Sequence, residues 1–460
     1  MKRISIKLGK KLIEVNLPDN TEILSTEQPK PLRNPAFFIQ KALKDSIGSP
    51  SLDKIMEQKL KKNPQAKTVI VISDNTRPVP YKGKAGILWP IIEKLLAKNI
   101  SNERILILVA TGTHRPLSEK ELREMLDPRV FDYKIPIKNH DCRDKNNLVY
   151  LDKTSRGSSV YINRDYMEAD IKILTGLVET HFMAGASGGR KSICPGLIGE
   201  ESIYIFHGAP MLASPKASDL IIDGNPCHQE ALEIAKKAGA DYIINVTLDQ
   251  DFKLTGVFAG DLEEAHKQAV KQIKKYVTIP LDKEYDIVIT HAGFVGINQY
   301  QTAKAAVVAI PALKPNGKLI MIANNNDKDL IGSEKYKTVL HLLKIIGAKK
   351  FTRLILSPDW PFIPDQWQVQ MWTRLFSKIP PENFIYYSPR LSFNDYKIIP
   401  GVDGNIFLPA NKRYKGTLKD ISQIIESAIN KIDNEFKLKG KRGFNISFLS
   451  DGPYGIPIKK

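Results

Sequence analysis

Short runs of uninterrupted apolar residues alternate along this chain with stretches whose apolar residues recur at helical spacing, and that alternation limits the folds open to it more than any other feature. Thr68–Ser73 (TVIVIS) carries no polar alternation, so it reads as a strand buried on both faces. An amphipathic helix follows around 85–98, and 105–111 (ILILVAT) repeats the strand pattern. Strand, helix, parallel strand is the grammar of a βαβ unit. The same reading predicts strands at 171–178, 242–247, 286–290, 318–323 and 353–356, and helices at 229–238, 262–276, 301–310 and 418–432. The expected class is therefore α/β, with two α/β domains, mainly parallel sheets and an active-site cleft between them.

The helix at 262–276 runs into Thr278-Ile279-Pro280 and the charged Asp282-Lys283-Glu284, a hinge before a fresh strand. This places an N-terminal domain at 1–280 and a C-terminal domain at 281–442. The tail, 443–460, holds a final strand at 444–449 and the turn Asp451-Gly452-Pro453, and is expected to pack back onto the first domain. A chain of 460 residues is long enough for two or three domains, each with its own core.

Lys and Arg number 68 against 50 Asp and Glu, leaving a net charge of +18. A nucleic-acid or membrane-surface role would need those cations clustered. They are dispersed: the densest groups, Lys59 to Lys62 and Lys437 to Arg442, read as a helix end and a linker, so no nucleic acid and no membrane is expected as a partner. Three scattered cysteines, Cys142, Cys194 and Cys227, make neither a disulfide framework nor a zinc ribbon. With no signal-peptide core and no apolar run of spanning length, a cytoplasmic setting is expected.

In open α/β sheets ligands bind beyond the carboxyl ends of strands, so the residues just after each apolar run carry the chemistry. Asp74-Asn75-Thr76-Arg77-Pro78 follows the first buried strand. Asp74 and Asn75 suit a turn and Arg77 a solvated surface; equally, Arg77 can fork a carboxylate or a phosphate. Thr111-Gly112-Thr113-His114-Arg115-Pro116 follows the next, where His114 is either a structural histidine or a general base near neutral pH.

The densest segment is Glu179-Thr180-His181-Phe182-Met183-Ala184-Gly185-Ala186-Ser187-Gly188-Gly189-Arg190-Lys191-Ser192. It invites comparison with the phosphate-cradling G-x-x-x-x-G-K-[ST] loop, but Arg190 stands where that loop has glycine, and Pro195-Gly196 interrupts the long helix that should follow. An alternative reading makes it a loop, Ser187 to Lys191, of a non-catalytic phosphate- or nucleotide-binding protein. Finally, His207 ends a short apolar stretch sixteen positions past Lys191. One histidine cannot hold a transition metal alone, so any metal there needs ligands from elsewhere, such as a cofactor.

Taken together, D-N-T-R-P (74–78), T-G-T-H-R-P (111–116), H-F-M-A-G-A-S-G-G-R-K-S-I-C-P-G (181–196), His207 and Tyr300-Gln301-Thr302-Ala303-Lys304 resemble the nickel-dependent lactate racemase family, from about residue 70 to the 451–453 turn. The resemblance implies a racemase or epimerase inverting C2 of a 2-hydroxy acid, lactate or a related one. It implies a nickel pincer nucleotide, a pyridinium mononucleotide with two sulfur substituents, bound covalently at Lys191. His207 would fill the fourth square-planar position on nickel, which suits Ni(II). His114 and His181 match the family's two bases, alternating as acid and base while hydride leaves and returns to C2. Arg77 and Lys304 match its cationic substrate residues, with Tyr300 and Gln301 beside them. Asp74 is expected to order the arginine or the cofactor, and Trp367 to wall the site, with Trp372 the competing tryptophan five positions on. From composition, Ser187, Gly188 and Gly189 are expected to admit the cofactor phosphate by close backbone approach. The resemblance also implies cofactor maturation proteins as partners, and a site between two closing domains.

Overall fold

Thr68–Ser73 is a strand whose first five residues are buried. It lies at the middle of a six-stranded sheet in the unit Gln28–Tyr276, in a computed structural model that describes residues 1–9, 11–440 and 443–459. Across that sheet the strands run Leu254–Gly260, Tyr242–Leu248, Ile171–Leu177, Thr68–Ser73, Ile105–Ala110 and Ile137–Asn139. All neighbours are parallel except the outermost pair, Tyr242–Leu248 with Leu254–Gly260. Helices cover the faces, which is why the central strands are apolar throughout.

The helix Leu88–Ala97 shows how the pattern becomes packing. Leu88, Ile91, Ile92 and Leu95 fall on one face and are buried against Ile70, Ile72, Ile107 and Val109. Each such aliphatic side chain contributes about 1.5–3 kcal/mol of burial free energy.

From Thr68–Ser73 the chain steps outward through Ile105–Ala110 to Ile137–Asn139, then crosses to the other side at Ile171–Leu177. The carboxyl ends of Thr68–Ser73 and Ile171–Leu177 therefore flank a reversal of strand order, where α/β sheets form their ligand crevice.

The second unit, Met1–Glu27 with Val277–Lys460, has its own six-stranded sheet. Its order is Val402–Asp403, Phe384–Tyr387, Leu313–Ile322, Tyr285–His291, Ile446–Leu449 and Thr21–Leu24, parallel throughout. The hairpin of Lys2–Leu8 with Lys11–Leu17 lays Ile6, Leu8, Val15 and Leu17 against Ile287, Ile289, Ile320 and the helix Ile421–Leu438. This organisation differs from the sequence reading, which began the first domain at residue 1 and returned the tail to it. Both chain ends instead build the sheet of the second unit, because Ile446–Leu449 inserts between Tyr285–His291 and Thr21–Leu24.

One expected strand is a helix. Residues 353–355 of the predicted 353–356 strand close the helix Glu334–Ile355, with Leu356 as its cap. Phe351 and Ile355, four positions apart, are buried on one helical face. The strand that follows is Phe384–Tyr387. Lys59, Lys61 and Lys62 do sit in the last turn of a helix, Leu52–Lys62, where exposed carbonyls favour cations. Of the second basic group, Lys441 and Arg442 lie outside the described residues. No helix among the described residues is long and apolar enough to cross a membrane.

Candidate active site

Three loops leave the carboxyl ends of adjacent parallel strands in the Gln28–Tyr276 unit, and they carry the residues predicted within that unit. After Ser73 comes Asp74, 4% exposed. Its Oδ1 accepts from the Thr76 backbone N–H at 3.1 Å and from the Thr76 hydroxyl at 2.6 Å, and its Oδ2 lies 2.6 Å from His114 Nδ1. Burial pushes the Asp74 carboxyl up, but the bond to His114, its charge and the Thr76 donors outweigh that and hold the pKa below the ordinary aspartate value. His114 is 57% exposed, so its far nitrogen, Nε2, is reachable from solvent.

The second loop is tied to the third: the Gly112 N–H donates to Gly196 O at 3.0 Å, and the Gly112 backbone has φ +56°. Such a conformation favours glycine.

In the third loop, His181 lies on a two-residue strand paired with Gly185–Ala186. Its Nδ1 accepts from the backbone N–H groups of Met183 at 3.3 Å and Ala184 at 3.1 Å. A nitrogen that accepts cannot carry the proton, so the neutral ring holds its hydrogen on Nε2. Lys191 lies on the short 3₁₀ turn Gly189–Ser192, and no long helix follows: the next, Glu200–Phe206, is seven residues long and ends at His207. Burial, together with the charges of Lys191 and His114, pushes the His207 imidazole down to about 3. His207 is thus neutral at physiological pH and within electrostatic reach of both.

The expected phosphate cradle has its polar groups engaged within the protein. Ser187 donates its hydroxyl to Leu177 O at 2.7 Å and accepts on it from Glu179 N–H at 3.0 Å. The Gly189 N–H donates to Asn245 Oδ1 at 2.9 Å. A Cβ on Gly188 would stand 2.3 Å from Asn245 Oδ1, and one on Gly189 would stand 2.9 Å from the His266 ring. These glycines are required by packing against Asn245 and His266. Arg190, 1% exposed, lies under the loop and donates to the carbonyls of Ala184, Ala186 and Gly188, with His266 Nε2 at 2.8 Å. Burial lowers its guanidinium pKa to about 9.

In the second unit, the helix Gln299–Ala309 starts beyond the carboxyl end of Tyr285–His291, capped by Asn298, whose Oδ1 accepts from the Gln301 N–H at 3.0 Å. Tyr300 and Lys304, four positions apart, share a face of it. Trp367 Nε1 donates to the Tyr300 hydroxyl at 2.9 Å, and Gln368 Nε2 to the Tyr300 carbonyl at 2.7 Å. Trp372 instead donates to the buried Tyr336 hydroxyl at 2.9 Å and stacks in the core with Phe376. The tryptophan joined to Tyr300 is therefore Trp367. Burial and the charge of Asp365 push the Tyr300 hydroxyl pKa up. His291 is buried, accepting at Nδ1 from Gly293 N–H and bonded at Nε2 to Ser450 O. His140 is likewise bonded inside the fold.

Residues 8–219 match the lactate racemase N-terminal domain, and residues 281–386 match the lactate racemase C-terminal domain. A lactate racemase of Lactiplantibacillus plantarum is 34% identical over 340 residues, covering 73% of this chain and 76% of its own length. The chain belongs to the lactate racemase family. It is accordingly an isomerase, a racemase by its relatives. A second lactate racemase, from Thermoanaerobacterium thermosaccharolyticum, is 28% identical over 445 residues, 95% of this chain and 97% of that one. The solved lactate racemase apoprotein from Thermoanaerobacterium thermosaccharolyticum has a TM-score of 0.83 at 26% identity, covering 99% of this chain and 100% of that one. A Thermotoga maritima protein at 15% identity and TM-score 0.60 shares the fold.

Sequence reasoning passed over three residues that shape the loops of this lactate racemase family member. Glu179 forms an ion pair with Arg77 through Oε1 and Nη1. Asn245 sits fully buried in a strand and receives the Gly189 N–H. His266, buried on the helix Glu264–Val277, braces Ser187 and Arg190. An amide inside the apolar run YIINVTL was the visible signal for Asn245. Nothing local marks Glu179.

Proposed function

We propose that this racemase inverts C2 of a 2-hydroxy acid, lactate or a close analogue, with a nickel pincer nucleotide held at Lys191 and His207. Among the described residues no group of three or more His, Cys, Asp or Glu is arranged to hold a metal. A metal here must therefore bring most of its own donors, and a single neutral imidazole beside a lysine amine fits a cofactor-borne nickel. When bound, that group supplies the acceptor and donor of hydride.

The observation that carries the reading is the Asp74–His114 pair. Asp74 fixes His114 with its proton on Nδ1 and its lone pair on Nε2, the arrangement of a general base aimed at a substrate hydroxyl. His181, with its hydrogen on Nε2, presents a donor to the same kind of oxygen. For it to act in turn as a base, the Met183 and Ala184 N–H groups must release Nδ1.

In the unit Gln28–Tyr276, Arg77 is the proposed cation for the substrate carboxylate. In the second unit the proposed substrate residues are Lys304, Tyr300 and Gln301, with Trp367 keeping the Tyr300 hydroxyl in place. Ser187, Gly188 and Gly189 serve the cofactor by fixing the turn that carries Lys191. Three buried cysteines outside any disulfide fit a reducing compartment, the cytoplasm. Cofactor maturation proteins are the implied partners. The test is to give one enantiomer of lactate to protein made together with such a maturation system and follow the other by chiral chromatography. Scrambling that is lost in Lys191→Ala supports the reading; no scrambling of lactate or any related 2-hydroxy acid refutes it.

A further inference from the structure

Arg77 and Glu179 are 102 positions apart, yet their side chains are joined Nη1 to Oε1 across the two strand ends that flank the reversal of strand order. Both ends of the pair are anchored through their backbones. The Glu179 N–H donates to Ser187 Oγ at 3.0 Å, its carbonyl accepts from the Ser187 N–H at 3.0 Å, and the Arg77 N–H donates to Asp74 O at 3.2 Å. The side chains are 30% and 34% exposed, so solvent and a small ligand reach both. An ion pair this exposed adds little to stability. Its consequence lies in what it does to the guanidinium. Arginine offers five N–H donors in a rigid fork, and Glu179 occupies one corner of it, leaving the other donors pointing in a fixed direction.

We propose that Glu179 is a positioning residue that aims Arg77 at the substrate carboxylate and competes with that carboxylate for it. The inference rests on the substrate role given to Arg77 above. With Glu179 in place, a 2-hydroxy acid anion shares its cation with a second carboxylate, which weakens binding; in return the fork is already oriented when the anion arrives. Removing the charge while keeping the shape therefore separates the two effects, giving tighter binding and slower turnover.

The experiment titrates L-lactate calorimetrically into the full-length wild type, Glu179→Gln, Arg77→Met and the double variant, with thermal melting to confirm folding. Glu179→Gln is expected to bind about three- to tenfold tighter, and Arg77→Met to abolish binding in both backgrounds. In cofactor-loaded enzyme, Glu179→Gln is expected to lower kcat about tenfold while KM also falls. A folded Glu179→Gln with unchanged or weaker affinity, or with unchanged kcat, overturns the role of Glu179. Wild-type binding that is absent, or indifferent to Arg77→Met, overturns the Arg77 assignment and this inference with it. Should Glu179→Gln melt early, Glu179→Asp keeps the charge but retracts it: wild-type affinity with reduced kcat supports the inference, and wild-type values for both refute it.

Discussion

A carboxylate that is almost fully buried, Asp74, holds an exposed imidazole, His114, at 2.6 Å through Nδ1. The pair sets the tautomer that a base needs, so replacing Asp74 by asparagine leaves the shape but removes the preference. Asp74→Asn is expected to lower kcat on the order of 10²-fold with little change in KM. Steady-state kinetics, with intact mass to confirm equal cofactor loading, check this.

The same pair makes stability depend on acid. Asp74 titrates below its ordinary value in the folded chain, so between the folded and unfolded pKa values the unfolded state binds more protons. Its contribution is present above about pH 4 and is lost as pH falls through the lower, folded value. His207, lowered to about 3, acts in the same sense over a higher window: the folded ring stays neutral while the unfolded one charges, so stability falls from about pH 6.5 toward 3. Melting temperatures across pH 3 to 8 test both. Asp74→Asn should differ from wild type at neutral pH and converge with it in acid, whereas His207→Gln should flatten the decline below pH 6.5.

The two neighbouring tryptophans should separate function from stability. Trp367→Phe removes the indole N–H that holds the Tyr300 hydroxyl and is expected to reduce kcat/KM about tenfold at nearly unchanged melting temperature. Trp372→Phe strips the partner of the buried Tyr336 hydroxyl and opens space in the core, at a cost of about 1–3 kcal/mol. Thermal denaturation and kinetics on both variants give the contrast.

Arg190 offers a harsher test of how Lys191 is placed. Arg190→Met leaves the carbonyls of Ala184, Ala186 and Gly188 without their charged donor and is expected to destabilise the chain by about 3 kcal/mol or more. Gly188→Ala should act in the same direction, since its Cβ has no room beside Asn245. Urea unfolding measures both.

What was legible in the sequence follows from how local each signal is. Thr68–Ser73 and the helix Leu88–Ala97 declare themselves because burial on two faces, or on one helical stripe, is written into consecutive residues. The expected strand at 353–356 misled because Leu354, Ile355 and Leu356, three apolar residues at a helix end, look the same as a short strand. The tail was misplaced because which sheet a lone strand joins is decided by its neighbours Tyr285–His291 and Thr21–Leu24, both far away along the chain. The site divides the same way. His114, His181, Lys191 and His207 stand in recognisable segments, whereas the partner of Arg77 depends on strand order, and only the folded sheet brings Glu179 to it. The Ser187–Gly189 turn looked like a phosphate cradle because glycines that admit a ligand and glycines that admit Asn245 and His266 are the same letters.

The account turns on Lys191 as the attachment point of a nickel-bearing cofactor. Intact-mass spectrometry with nickel analysis, on protein made together with a cofactor maturation system, tests this most directly. The expected result is a nucleotide-sized adduct that maps to Lys191, with about one nickel per chain, and loss of both in Lys191→Ala. A folded wild-type chain that leaves such a preparation with neither adduct nor nickel, yet racemises lactate, would contradict it.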